Sequence, residues 1–203
     1  MIRDLSAALG ESIFQDDVFC GKTGFSIYLY DVTCNSFENS AAVRYHVDDT
    51  MYHLKLNRFN KQAIDRALAA TLIHEIMHCI LLDVDKRAMH GDEKALTSIL
   101  NLGLNRNDTS NVFNNEFFVL MNSGEAGQHE LMYRLFYPQM VILLERWAEI
   151  HNEPFFDDED AQNLMWTGLQ RTKAYQGLND EKKEEIEVAI LKTKGVKLNI
   201  PED

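Results

Sequence analysis

In Ile64-Asp65-Arg66-Ala67-Leu68-Ala69-Ala70-Thr71-Leu72-Ile73-His74-Glu75-Ile76-Met77-His78-Cys79-Ile80, the residues Ile64, Leu68, Leu72, Ile76 and Ile80 recur every fourth position. That period belongs to a helix with one continuous apolar face, and it predicts a helix from about 61 to the mid-80s with Asn60 as its N-cap. Residues four apart on a helix project from the same side, so His74 and His78 can converge on one point. Neutral imidazoles converging at about 2.0 to 2.1 Å are what a zinc ion requires. Glu75 lies roughly 100° further round the helix, close enough to reach a water activated by the metal without occupying the metal itself. The arrangement His-Glu-x-x-His thus reads as two ligands, His74 and His78, and a general base, Glu75, for hydrolysis of a polarised carbonyl. The plainer reading makes the two histidines surface groups with i, i+4 partners. The position of the motif inside a long apolar helix argues against it.

A third ligand has to come from further along the chain. The extended motif of one peptidase subclass would need Gly at Leu81 and His at Val84, and is excluded. His90 lies near the helix exit among Asp83, Asp85 and Asp92, where a solvated histidine is the simpler expectation. His129 and Glu130 open a later helix, and either would complete a three-ligand site with a fourth position left for water. As a plainer alternative, Glu130 is a first-turn acid favoured by the helix dipole. The expected cofactor is one zinc ion per chain.

Upstream of the motif, three short alternating runs read as strands: Phe25, Ile27 and Leu29; Val43, Tyr45 and Val47; Tyr52, Leu54 and Leu56. Downstream, helical spacing predicts segments near Lys94 to Leu102, from His129 to about Ile150 with Pro138 as a point of kinking, from Asp160 to Gln170, and from Asp180 to Lys194. Asn105 to Asn115 is polar and reads as a loop. The expected class is α+β: one domain over 1–203, mainly strands over 1–60 in a small antiparallel-leaning sheet, then mainly helices over 61–203. Its 203 residues suffice for one hydrophobic core.

Composition narrows the function classes. A net charge of -12 disfavours nucleic acid as a partner, because that binding depends on Lys and Arg displacing counterions. The start of the chain lacks a basic stretch followed by an apolar one, and no segment reads as a membrane span. Cys20, Cys34 and Cys79 form no CxxC pair, which fits synthesis in a reducing cytoplasm.

Three elements in order carry a family resemblance. Leu56-Asn57 precedes Ala70-Thr71-Leu72-Ile73-His74-Glu75-Ile76-Met77-His78; His129-Glu130-Leu131-Met132 follows; then comes Trp166-Thr167-Gly168-Leu169-Gln170-Arg171-Thr172-Lys173-Ala174. The set resembles the zincin-like metallopeptidase domains, of the broad SprT-like type, found at the C-termini of polymorphic toxins in Bacteroidota, over roughly residues 41 to 195. Tyr133 stands where that family has alanine, and Thr167 and Arg171 stand where it has glycine. The resemblance implies a zincin-like fold, favours His129 as third ligand, and implies a toxin or effector acting on a protein or peptide substrate in another cell. It also implies a cognate neutralising (immunity) protein. A domain of this size without a signal peptide is expected to be either an effector exported by a contact-dependent machine or a cargo that rides on another protein. Tyr133, beside this element, is a candidate for polarising the substrate carbonyl, although a tyrosine at helical spacing more often packs in a core. The alternatives are a non-catalytic binding or adaptor module on the same scaffold and a hydrolase of non-peptide amides.

Overall fold

A computed structural model describes residues 26–32, 41–45, 51–57, 65–102, 104, 115–153 and 158–193, the strands and Asp65 as backbone alone. Among the described residues three strands come first: β1 (Ser26–Val32), β2 (Ala41–Tyr45) and β3 (Met51–Asn57). They pair in the order β1-β3-β2, with β1 parallel to β3 in the register Leu29↔Leu54, and β2 antiparallel to β3 in the register Val43↔Leu54. Seven helices follow among the described residues: α1 (Asp65–Met89), α2 (Glu93–Asn101), α3 (Glu116–Asn122), α4 (Glu125–Ile150), α5 (Asp158–Met165), α6 (Lys173–Gln176) and α7 (Asp180–Thr193).

The class is therefore mostly helical, which corrects the α+β expectation. Among the residues whose side chains are described, 81% are helical and none lies in a strand. The antiparallel-leaning arrangement is revised as well, since β1 runs parallel to its neighbour. Alternation along a strand reports which residues share a face, not which strand lies alongside, so the pairing could not be read from it.

Each helix has a local cause. Asp92 caps α2 by accepting from the backbone N–H groups of Lys94 (2.9 Å) and Ala95 (3.2 Å), and Asn115 caps α3 by accepting from Phe117 N–H at 2.9 Å. The short helices α3 and α6 were not expected: Asn115 ends a stretch that reads as loop, and Thr172 lies beyond the helix expected to stop at Gln170. The helix expected from His129 starts at Glu125 and continues through Pro138 to Ile150. Gly127 lies inside it, where a Cβ would collide with the backbone carbonyl of Leu120. Only glycine lets the first turn of α4 pass so close to the end of α3. The Asn60 cap and the loop up to Asn114 lie outside the described residues, as do Phe25, Val47 and Gly103.

The core forms around α1 and α4, which pack on each other, with α3 and α5 against α4 and α7 against α5. Ile73, Met77 and Leu81 from α1 meet Leu131, Met132, Met140 and Leu143 from α4, all fully buried. Each such side chain contributes about 1.5 to 3 kcal/mol relative to exposure. By length and composition the Arg66–Met89 segment is apolar enough to cross a membrane, which the sequence reading had not anticipated. Its window is 67% buried against the rest of the protein, as befits a core helix. This burial has a consequence for the polar residues on α1: His74, Glu75 and His78 are carried into the interior together.

Candidate metal centre

His74 and His78 sit in the middle of α1, and His129 sits one turn into α4, on the face that packs against α1. All three are buried, and their ligand atoms lie within 4.8 Å of one another. Nε2 of His129 is 3.0 Å from Nε2 of His78 and 3.2 Å from Nε2 of His74. The three rings are 4.9 Å apart by every pairing of their centroids.

Hydrogen bonding alone does not account for this convergence. An imidazole nitrogen carries either one proton or one in-plane lone pair, so Nε2 of His129 can satisfy only one of its two Nε2 neighbours. A cation at the centre satisfies all three lone pairs at once. Ligands about 2.0 to 2.1 Å from a tetrahedral zinc stand about 3.3 Å from each other, near the spacing found here. The three histidines can therefore hold a metal ion.

The electrostatics agree with that use. Burial pushes the His74 pKa well below the ordinary imidazole value, helped by His78 and His129, against a raising influence from the Thr167 backbone. Burial and the neighbouring His129 push His78 down to about 4, while its hydrogen bond to Gln128 opposes this. His129 is lowered by burial, with Glu125 opposing and Arg171 assisting. All three are thus neutral at pH 7, the form that binds metals. Nδ1 of His78 donates to Oε1 of Gln128 at 2.9 Å, which leaves the Nε2 lone pair facing the centre.

Comparison with protein-family models, curated proteins and solved structures finds no match to this chain. The reading of the site accordingly rests on its own chemistry.

Glu75 is buried beside the ligands, and burial together with the Glu125 carboxylate raises its pKa to about 7. A carboxylate in that range exchanges protons readily near neutrality. Cys79, the residue after the second ligand, is a buried free thiol whose pKa burial pushes up, and it stands outside the three-histidine group.

The remaining candidates are placed elsewhere. His90 is exposed at the end of α1, with Nδ1 2.8 Å from the Lys86 carbonyl. Glu130 is turned to the backbone, its Oε2 accepting from Lys173 N–H at 3.0 Å. Tyr133 is half-buried one turn past His129 and stacks on Trp166 with ring centroids 5.0 Å apart.

Two contributors escaped the sequence reading. Gln128 orients His78, and its only signal was its place next to His129. Gly168, at φ +83°, lies so close to His74 that a Cβ there would stand 2.5 Å from the ring Cε1. The helix expected from Asp160 to Gln170 ends at Met165, and nothing in Trp166-Thr167-Gly168-Leu169 told of the turn that follows or of what it touches.

Proposed function

We propose that the chain is a zinc-dependent peptidase. The observation that carries this reading is the convergence of three neutral histidines with a buried carboxylate, Glu75, on the residue next to the first of them. When bound, zinc supplies Lewis acidity, making water nucleophilic at neutral pH and polarising a carbonyl. Glu75 takes the proton from the attacking water and delivers it to the leaving amine. Its raised pKa suits both halves of that transfer, because the group is neither a spent base nor a permanently charged one at pH 7. His74, His78 and His129 hold the ion, and Gln128 fixes the ring of His78. Nothing in this chemistry requires a positive surface, in keeping with the acidic chain.

A closed structural site is the weaker reading, since it would fill all four positions and the nearby thiol of Cys79 stands outside the group. The biological setting follows from the sequence resemblance: a toxin or effector that cuts protein in another cell and is held in check by a neutralising partner. Elemental analysis of the purified protein tests the site directly. About one zinc per chain is expected, lost in both His74→Ala and His129→Ala and retained in His90→Ala. Absence of zinc from the unsubstituted protein after reconstitution would end the peptidase reading.

A further inference from the structure

We infer that the turn over residues 166–173 is a positioning element of the metal centre, in which Gly168 sets the ring of His74 and Glu130 ties the turn to the helix that carries His129. The inference rests on the metal reading above, and its observations are independent of the ligand spacing. At Gly168 the backbone has φ +83°, and an added Cβ would lie 2.5 Å from Cε1 and 3.0 Å from both Nδ1 and Nε2 of His74. The backbone itself is therefore packed on the imidazole, and the ring cannot tilt toward it. This explains a glycine at this position twice over, by conformation and by space.

The other end of the turn is anchored on α4. Lys173 N–H donates to Oε2 of Glu130 at 3.0 Å, and Glu130 is the neighbour of His129 in the chain. Trp166, at the start of the turn, stacks on Tyr133, one helical turn beyond His129. Between these anchors the turn is stiffened from within: Leu169 N–H donates to the Trp166 carbonyl at 2.8 Å, and the Thr172 hydroxyl donates to the Leu169 carbonyl at 2.8 Å. One short segment thus touches the ligand from α1 at its middle and holds α4 at both ends. The two helices that supply the ligands are bridged by it.

A second observation concerns the two ligands of α1. His78 has the Gln128 side chain as partner for its Nδ1, whereas the buried Nδ1 of His74 has no side-chain partner and is influenced by the Thr167 backbone, part of this turn. What His74 has in place of such a side chain is the backbone of this turn, pressed against the ring. Groups that orient a ligand in this way typically change metal affinity by about 10- to 100-fold when altered.

The test is a chelator-competition titration of the full chain with Zn²⁺, alongside the visible absorption spectrum of its Co²⁺ form. Gly168→Ala is expected to weaken Zn²⁺ binding about 10- to 100-fold and to shift the Co²⁺ bands. Glu130→Ala, which cuts the tie to Lys173 without touching a ligand, is expected to weaken binding in the same direction. Gly177→Ala is the control, since its added Cβ meets nothing closer than 3.5 Å, and it should leave both readouts unchanged. A merely structural turn would lower the thermal transition of the metal-free protein and leave the Co²⁺ spectrum as it was. If the unsubstituted chain binds metal and both Gly168→Ala and Glu130→Ala retain its affinity and spectrum, the positioning role is overturned while the metal reading stands. If the unsubstituted chain binds neither ion, the metal reading itself has failed.

Discussion

The two helices that meet at the three histidines present them in contrasting ways. On α1 the ligands sit mid-helix, with Ile73, Met77 and Leu81 fully buried around them, so their backbone is fixed by packing along both directions of the chain. On α4 the ligand sits one turn from the helix start at Gly124, a cap without a side-chain hydrogen bond, next to the largely exposed side chain of Glu125. The first half of the site is rigid by secondary structure. The second is placed by tertiary contacts: the close passage of Gly127 under Leu120, the bond from His78 to Gln128, and the turn anchored at Glu130. Perturbing α1 should therefore destroy chemistry or folding outright, whereas perturbing the contacts that place α4, with His129 itself intact, should degrade metal affinity by degrees.

The largest effect is expected on α1. Glu75→Gln removes the proton acceptor and keeps the shape of the side chain, so peptide hydrolysis should fall by about 10² to 10⁴ while zinc content stays at that of the unsubstituted protein. Activity surviving at full strength would show that another group moves the proton. Next in size is Met77→Ala, one residue before the second ligand and fully buried. It should cost about 2 to 5 kcal/mol in denaturant unfolding of the metal-free protein, through lost burial and the cavity left behind. A comparable loss for a truncation at Glu125, on the exposed edge of α4, would erase the contrast between the two helices.

The same contrast separates what could be read in the sequence from what could not. The i, i+4 histidines and the apolar period of α1 are properties of one helix, so seventeen consecutive residues from Ile64 to Ile80 contain them in full. His129 and Glu130 could not be told apart by spacing, because the choice depends on how α4 rotates against α1. In the folded chain Glu130 faces Lys173 and His129 faces the site. The two shortest helices were hidden for a related reason. Asn115 caps α3 from the end of a stretch whose polar composition reads as loop, Thr172 caps α6 beyond the expected end of a helix at Gln170, and Gly127 serves close packing within α4, upstream of where that helix was expected to begin. The longest helices, α1 with 25 residues and α4 with 26, were expected from their spacing, whereas α3 and α6, with 7 and 4, are too short to show a period.

Proton binding by the metal-free protein should also distinguish the two sides. His78 has a folded pKa of about 4 against an ordinary imidazole value of 6.5 in the unfolded state, so between those values the unfolded state holds more protons and stability falls as pH drops. That contribution is fully present above 6.5 and amounts to about 3 kcal/mol for a group this buried. His74 and His129, both lowered, act in the same direction. Glu75 acts oppositely: with a folded pKa of about 7 against 4.5, it loses stability as pH rises through that interval. Three groups outweigh one, and the thermal transition of the metal-free protein should rise from pH 4 to 6.5, more steeply in Glu75→Gln. Glu125 supports protonation of His129, so His129→Gln should remove less of this slope than His78→Gln. Equal losses would mean that the helix start is as closed as the middle of α1.

The smallest effect is expected at Gln128, and it bears most directly on the tertiary half of the site. Its Oε1 accepts from Nδ1 of His78, which selects the tautomer with a free lone pair at Nε2 and holds the plane of the ring. Gln128→Ala leaves all three ligands in place but lets His78 exchange tautomers and tilt, so zinc affinity should fall by about 10- to 100-fold with little change in metal-free stability. Gln128→Glu makes the opposite change, since a carboxylate accepts more strongly from the same N–H and makes the imidazole more basic toward a cation. Tighter zinc binding in Gln128→Glu together with weaker binding in Gln128→Ala would establish that α4 tunes ligands carried by α1. If both variants bind as the unsubstituted chain does, packing along α1 alone orients His78, and the division of labour between the two helices is narrower than the geometry suggests.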